Sequence, residues 1–231
     1  MSKNTEVAPA TNSALPVHLQ SNAAPIGNEN IQSSDLEIPR LKLLQSLSPE
    51  VQKGLDGYVQ DAEAGMTINT TTGDLVEAFN CINIFFDREF AVFRKRTLGG
   101  DGIPLSITPT EAEAHAFLAE SKFKADEYDV VDTARHLVMV VDDDGNRLFE
   151  AMMLMSATRL QFSKNWNSQI AATGIDRFGS VWKVIPHRIT NSKGSWFSYK
   201  VDFVGWADEA IHGSCKDIYE TISPAGVKVA A

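Results

Sequence analysis

Hydrophobic and polar positions along the chain change period several times, and those changes predict its elements. Residues 1–34 show no period; they are rich in Asn, Ser, Ala, Pro and Gln and hold no aromatic residue. Such a segment buries too little apolar surface to offset its chain entropy, so it predicts a disordered N-terminal arm. Packing starts in LEIPRLKLLQSLSPEV, where Pro39 biases Ile38 to extended backbone and Leu41, Leu43 and Leu44 supply the first core side chains. Turn signals follow at Asp56-Gly57, Ala64-Gly65 and Thr72-Gly73-Asp74. From Leu75 to Arg96 the period is two. Ile82, Ile84, Phe86, Phe90 and Val92 fall on one side, with a turn or bulge expected at Asp87-Arg88-Glu89.

Thr97 to Pro104 carries Gly99, Gly100 and Gly102 and predicts a loop. Thr108-Pro109-Thr110-Glu111 predicts a helix start with Thr108 as cap, running to about Ser121. His136–Val141 and Arg147–Met155 predict two strands joined by a turn at Asp143-Asp144-Gly145-Asn146. Ser156 then caps a helix with Leu160, Ser163, Trp166, Asn167 and Ile170 at helical spacing, ended by Gly174. Val181–Ile189 reads as a strand broken or bulged near Pro186, and Asn191-Ser192-Lys193-Gly194 as a turn. Ser195–Trp206 alternates: Phe197, Tyr199, Val201 and Phe203 face one side, and Trp196, Lys200, Asp202, Val204 and Trp206 the other. A last helix, about Asp208 to Ile222, buries Ile211, Cys215 and Ile218, and residues 223–231 predict a frayed tail.

This order makes the chain mainly β with α insertions (α+β). The arrangement expected is an OB-fold-like small β-barrel with flanking helices over residues 35–222. Other α+β arrangements fit the same pattern. The length of 231 residues supports a core without staples. Two cysteines, in no Cys-x-x-Cys pair, make neither a disulfide framework nor a zinc ribbon. There is no apolar run of membrane-spanning length and no secretory h-region, so the expected place is the cytoplasm.

Enzyme signatures are missing: there is no G-x-S-x-G, G-x-x-x-x-G-K-[ST], H-E-x-x-H or G-x-G-x-x-G. His18, His115, His136, His187 and His212 are scattered. The run Asp142-Asp143-Asp144-Gly145-Asn146 continues into Leu148 and Phe149, which suits a hairpin turn rather than a calcium loop. No catalytic residue, metal or cofactor is expected.

Charge changes the picture. The net charge is −9, yet residues 151–207 hold 7 basic and 2 acidic side chains and all 4 tryptophans. Single-stranded nucleic acid is held by cations that follow the phosphates and by aromatic faces that stack on unpaired bases. That combination singles out Arg159, Lys164, Arg177, Trp182, Lys183, Arg188, Lys193, Trp196, Lys200 and Trp206 as DNA-binding. Arg94, Lys95 and Arg96, beside the glycine-rich loop, are a second phosphate contact. Trp166, spaced with Leu160 and Ile170, is assigned to the core. For Trp182, Trp196 and Trp206, packing against flanking helices and stacking on bases both stay open.

Three segments, LEIPRLKLLQSLSPEVQKG, AGMTINTTTGDL and VWKVIPHRITNSKGSWFSYKVDFVGW, resemble a group of bacteriophage-encoded single-stranded-DNA-binding replication and recombination proteins of OB-fold type. The resemblance spans residues 35–222, with MSATRLQFSKNWNSQI and the two aromatic strands after it as its most telling part. It implies a sequence-tolerant, non-enzymatic binder of single-stranded DNA in the infected bacterial cytoplasm. Many such proteins end in an acidic tail that recruits partners; this chain ends SPAGVKVAA, without an acid. The expected partners are single-stranded DNA, then replication or recombination proteins, with a homo-oligomer open. The alternative function is a protein–protein interaction module, a phage structural or host-modulating factor, anchored by exposed tryptophans.

Overall fold

The computed structural model describes residues 37–121, 123–192 and 194–222. The predicted arm, 1–34, and tail, 223–231, lie outside the described residues. Nine strands and three helices are present among those described: β1 (Leu41–Leu43), β2 (Thr67–Asn69), β3 (Leu75–Val76), β4 (Phe79–Arg94), β5 (Ser106–Thr108), α1 (Glu111–Glu120), β6 (Tyr128–Val141), β7 (Arg147–Ser156), α2 (Leu160–Ala172), β8 (Ser180–Asn191), β9 (Gly194–Trp206) and α3 (Glu209–Ile222).

The architecture is mainly β, as the pattern predicts, but no barrel closes. The large sheet is an open antiparallel one in the order β7-β6-β4-β8-β9, with β5 on the same edge of β4 as β8. A second sheet, β1-β2-β3, is separate. Strands β7 and β9 exchange no ladder bonds. Instead the segment from Pro39 to Gln45 touches both of them. Met152 N–H donates to Pro39 O at 2.8 Å. At the other end the Gln45 amide donates to Phe197 O at 2.9 Å and accepts from Phe197 N–H at 2.8 Å. A single side chain thus occupies the edge position that another strand would need in order to close the ring.

Both faces of the large sheet are covered. One packs Cys81, Val138, Met153, Trp182 and Val201 against Phe162, Trp166 and Ile170 of α2 and against Leu41 and Leu43. The other packs Ile82, Ile84, Leu137 and Met139 against Ile211 and Cys215 of α3. α1 closes a smaller core on the far end of β4, through Ala114, Leu118 and Val92.

Local differences from the pattern have physical causes. Asp87-Arg88-Glu89 is no turn: β4 runs straight through it, paired with β6 from Arg94↔Tyr128 to Asn80↔Val141. The irregularity sits earlier, between Asn83 and Phe85. It leaves Ile84 and Phe85 on the α3 side and moves Phe86 to the α2 side, so Phe86 does not share a face with Ile82 and Ile84. Pro186 does not break β8. Beyond Val184 that strand pairs only with β9, so a missing N–H on its other edge costs no ladder bond. The cap of α1 is Thr110, whose hydroxyl accepts from Glu113 N–H at 3.3 Å, because Thr108 ends β5. Asp208 caps α3 by accepting from Ile211 N–H at 2.8 Å.

Candidate nucleic-acid interface

The β8–β9 ladder sorts most of the expected site residues onto two faces. Partners across an antiparallel ladder share a face, and so do alternate residues along a strand. One face carries the rows Trp182↔Phe203, Val184↔Val201, Pro186↔Tyr199 and Arg188↔Phe197. Trp182, Val184, Tyr199 and Val201 of these rows are core, whereas Phe203, expected on the buried side, is 47% exposed. Trp182 is 2% exposed, and its indole N–H donates to Ser180 Oγ at 2.8 Å. Tyr199 is buried, bonded to Thr67 Oγ1 at 2.8 Å and packed on Phe162. The Trp182 ring is therefore taken up inside the protein and is not available to stack on a base.

The other face carries the rows Lys183↔Asp202, Ile185↔Lys200, His187↔Ser198 and Ile189↔Trp196. Lys183 and Lys200 are exposed, and His187, Ile189 and Trp196 are half-buried. The single acid of these rows, Asp202, lies 3.9 Å from the Lys200 ammonium. Two polar ring atoms here, His187 Nδ1 and Trp196 Nε1, are shielded and have no hydrogen-bond partner among the described residues. At about 3.3 Å per residue, the four rows span about 20 Å. Arg188 is exposed on the opposite face. Lys193, at the hairpin tip, lies outside the described residues. The sequence pattern places Trp196 and Lys200 on this face; His187, one of the scattered histidines, joins them through its period-two spacing from Lys183.

Trp206 is not part of that face. The β8–β9 register shifts between Val181 and Trp182, where Val181 faces Gly205 but Trp182 faces Phe203. The extra residue, Val204, brings Trp206 onto the same side as Phe203, and the two rings meet edge-on with centroids 4.9 Å apart. Trp206 is 62% exposed, beside Asp176 and His212 rather than among cations.

Arg177 is drawn inward. Its Nη1 donates to Asn83 Oδ1 at 3.1 Å and Asn167 Oδ1 at 2.9 Å, and its guanidinium lies over the Phe86 ring. With Asn83 Oδ1 so used, Asn83 Nδ2 donates to His136 Nδ1 at 2.9 Å. His136 then carries its proton on Nε2 and donates to Ser163 Oγ at 2.8 Å. Burial, with the nearby Arg177 charge second, holds His136 down to a pKa of about 3. Arg177 and His136 thus belong to an internal polar chain stacked on Trp166, which is fully buried. Arg159 is half-buried beside Tyr199, and burial lowers its pKa from the ordinary arginine value. Lys164 is exposed on the solvent side of α2.

Arg94, Lys95 and Arg96 lie elsewhere. Arg94 is twelve residues beyond Ile82, the last β4 residue paired with β8. At about 3.3 Å per residue the cluster is about 40 Å along the strand from the ladder. Lys95 is tied down, donating to Asp126 O at 2.7 Å. The acidic run at Asp142 is a turn: Asp142 Oδ1 accepts from Asp144 N–H and Asn146 N–H at 3.0 and 2.8 Å. Among the described residues no group of three His, Cys, Asp or Glu side chains converges to hold a metal, and no helix is long and apolar enough to cross a membrane.

A family model, that of the Pam3 phage gp34-like proteins, matches residues 8–228. No curated protein and no solved structure matches the chain.

Proposed function

The chain belongs to the Pam3 phage gp34-like family, and from that premise we propose that it is a non-catalytic bacteriophage protein that binds single-stranded DNA during phage DNA replication or recombination. The observation that carries this reading is the outer face of the β8–β9 ladder. In a protein of net charge −9 it gathers Lys183, His187, Lys200 and Trp196 against one acid. The two lysines contact phosphates, and the Trp196 ring offers a stacking surface for a base. Nothing on this face reads base identity by a bidentate pair, which fits a sequence-tolerant binder.

The test is a fluorescence titration of the protein with oligo-dT at low salt, beside duplex DNA of equal length. Single strand quenches tryptophan emission and binds more tightly than duplex. Trp196→Ala with Lys200→Ala lowers affinity at least about tenfold, since stacking alone contributes about 1–3 kcal/mol per base. An unchanged affinity in the double variant removes this face as the site. Equal binding of duplex and single strand removes the proposed function.

A further inference from the structure

Two surfaces outside the ladder face share a property that DNA binding does not use. Each combines exposed apolar side chains with an excess of one charge: Arg94, Lys95 and Arg96 outnumber Asp101 at the first, and Asp176, Asp208 and Glu209 outnumber His212 at the second. The first is the loop joining β4 to β5. It exposes Leu98, Ile103 and Leu105, with Ile103 66% exposed, and Ile107 of β5 is exposed beside it. Arg94, the last residue of β4, and Arg96, in the loop, are exposed and make no ion pair among the described residues. The loop is built rather than slack. Gly100 N–H donates to Lys95 O at 3.1 Å, Leu105 N–H to Val92 O at 2.8 Å, and Ile103 N–H to Asp101 Oδ1 at 2.9 Å. A Cβ at Gly100 would come within 2.1 Å of the Arg94 carbonyl oxygen, so only glycine permits this close wrap. The loop offers no aromatic ring for a base to stack on, so its arginines lack the companion that single-strand binding requires.

The second surface is the concave site between the end of β9 and the start of α3. It is lined by Ile175, Asp176, Gly179, Trp206, Ala207 and His212, and Asp176 Oδ2 lies 3.3 Å from His212 Nε2 with its side chain still largely exposed. Phe203, edge-on to Trp206, continues its apolar wall and is 47% exposed. Asp208 and Glu209 are exposed beside it. Apolar exposure of this kind, rimmed by charge, marks an interaction site.

We propose that these two surfaces are partners. The β4–β5 loop of one copy seats in the Ile175–Trp206 hollow of a second copy, with Ile103 and Leu98 against the indole and Arg96 facing Asp176. The projecting loop meets a hollow, aliphatic groups meet an aromatic ring, and guanidinium meets carboxylate. The occupant is a second copy of this chain because both halves of the match are on it. The two surfaces are different patches, so the contact is heterologous. Each copy keeps one loop and one hollow free, and association continues head-to-tail into an open chain or a closed ring. This inference does not depend on DNA binding, and its test contains no DNA.

The test measures mass in solution by sedimentation velocity, up to about 0.5 mM protein, the range of weak transient contacts. The natural chain shows a concentration-dependent series beyond the dimer. A loop variant, Arg96→Glu with Ile103→Ser, and a hollow variant, Asp176→Lys with Trp206→Ala, each stay monomeric; all four side chains are exposed, so the core is untouched. Mixed one to one, the two variants form dimers and nothing larger, because only one productive loop–hollow pair exists between them. A natural chain that stays monomeric, that stops at a dimer, or whose variants still associate alone overturns the proposal. So does a mixture that remains monomeric.

Discussion

His136 shows how one buried residue carries the local order of donors and acceptors. The chain Arg177–Asn83–His136–Ser163 leaves a single consistent tautomer, with the proton on Nε2. Protonating Nδ1 would remove the acceptor that Asn83 needs and place a second charge near Arg177. Burial first, and Arg177 second, therefore keep the ring neutral down to a pKa of about 3. In the unfolded chain a histidine titrates at about 6.5. Between those values the unfolded state holds a proton that the folded state does not. Stability contributed by His136 is thus fully present above about pH 6.5 and is lost as pH falls toward 3, by up to about 1.4 kcal/mol per pH unit. Two measurements check this. The His136 ring resonances stay at neutral-form positions from pH 8 to about pH 5, where an ordinary exposed histidine titrates. The pH dependence of urea stability below about pH 6.5 is shallower in His136→Gln than in the natural chain. A His136 midpoint near 6.5 would sink the assignment. Cys81 is buried near the same layer, and burial pushes its thiol up; it is a core side chain rather than a reactive one.

At the scale of elements, what the sequence disclosed and what it hid divide along one line. Strands and helices governed by a steady period were legible: the β6–β7 hairpin from His136 onward, though β6 begins already at Tyr128, α2 with Trp166 inward, α3 with Ile211 and Cys215 inward, and the Trp196–Lys200 face of β9. Features created by one extra residue were not. The irregularity at Ile84 turns Phe86 over, and the one at Val204 takes Trp206 away from Lys200. A period-two pattern carries no mark of where a bulge falls, because runs such as Ile84-Phe85-Phe86 and Phe203-Val204 are apolar in both phases. Barrel closure was also hidden, since it depends on whether β7 and β9 meet, and Gln45 gives no advance sign of its bonds to Phe197. The same edge yields a prediction. Gly65 has φ +100°, and a Cβ there would sit 2.6 Å from the Phe197 ring, held by Gln45 on its backbone side. Gly54 has φ +91° with nothing near. Gly54→Ala meets only the backbone cost of about 1–2 kcal/mol. Gly65→Ala adds displacement of Phe197, so its urea midpoint falls well below that of Gly54→Ala. Equal midpoints would mean that Phe197 is not pinned as described.

Across the whole molecule, charge is spread unevenly, and the proposed DNA face uses only part of it. Residues 151–207 hold 7 basic side chains, yet the fold disperses them. Arg177 goes inside, Arg159 sits against Tyr199, Lys164 lies on α2 and Arg188 on the reverse of the hairpin. Lys183 and Lys200 remain on the ladder face, with His187 on the same side. Net charge alone would suggest weak binding or none, whereas a count of basic residues in the sequence would suggest many phosphate contacts. The structure argues for few, and salt dependence counts them. Each phosphate contact to a single strand contributes about −0.7 to the slope of log K against log salt. Two or three contacts give a slope between about −1.4 and −2.1 for an oligo-dT short enough to hold one protein, about six nucleotides. A slope near −5 would mean that most of the basic stretch, or the Arg94–Arg96 cluster about 40 Å away, joins the site, and would replace the ladder face by a longer path around the molecule. A slope near zero would mean that phosphate is not what Lys183 and Lys200 hold, leaving Trp196 as an anchor for a protein partner. Lys183→Gln separates these outcomes further, because losing one of two or three contacts lowers the magnitude of the slope by about 0.7 while the fluorescence change from Trp196 stays.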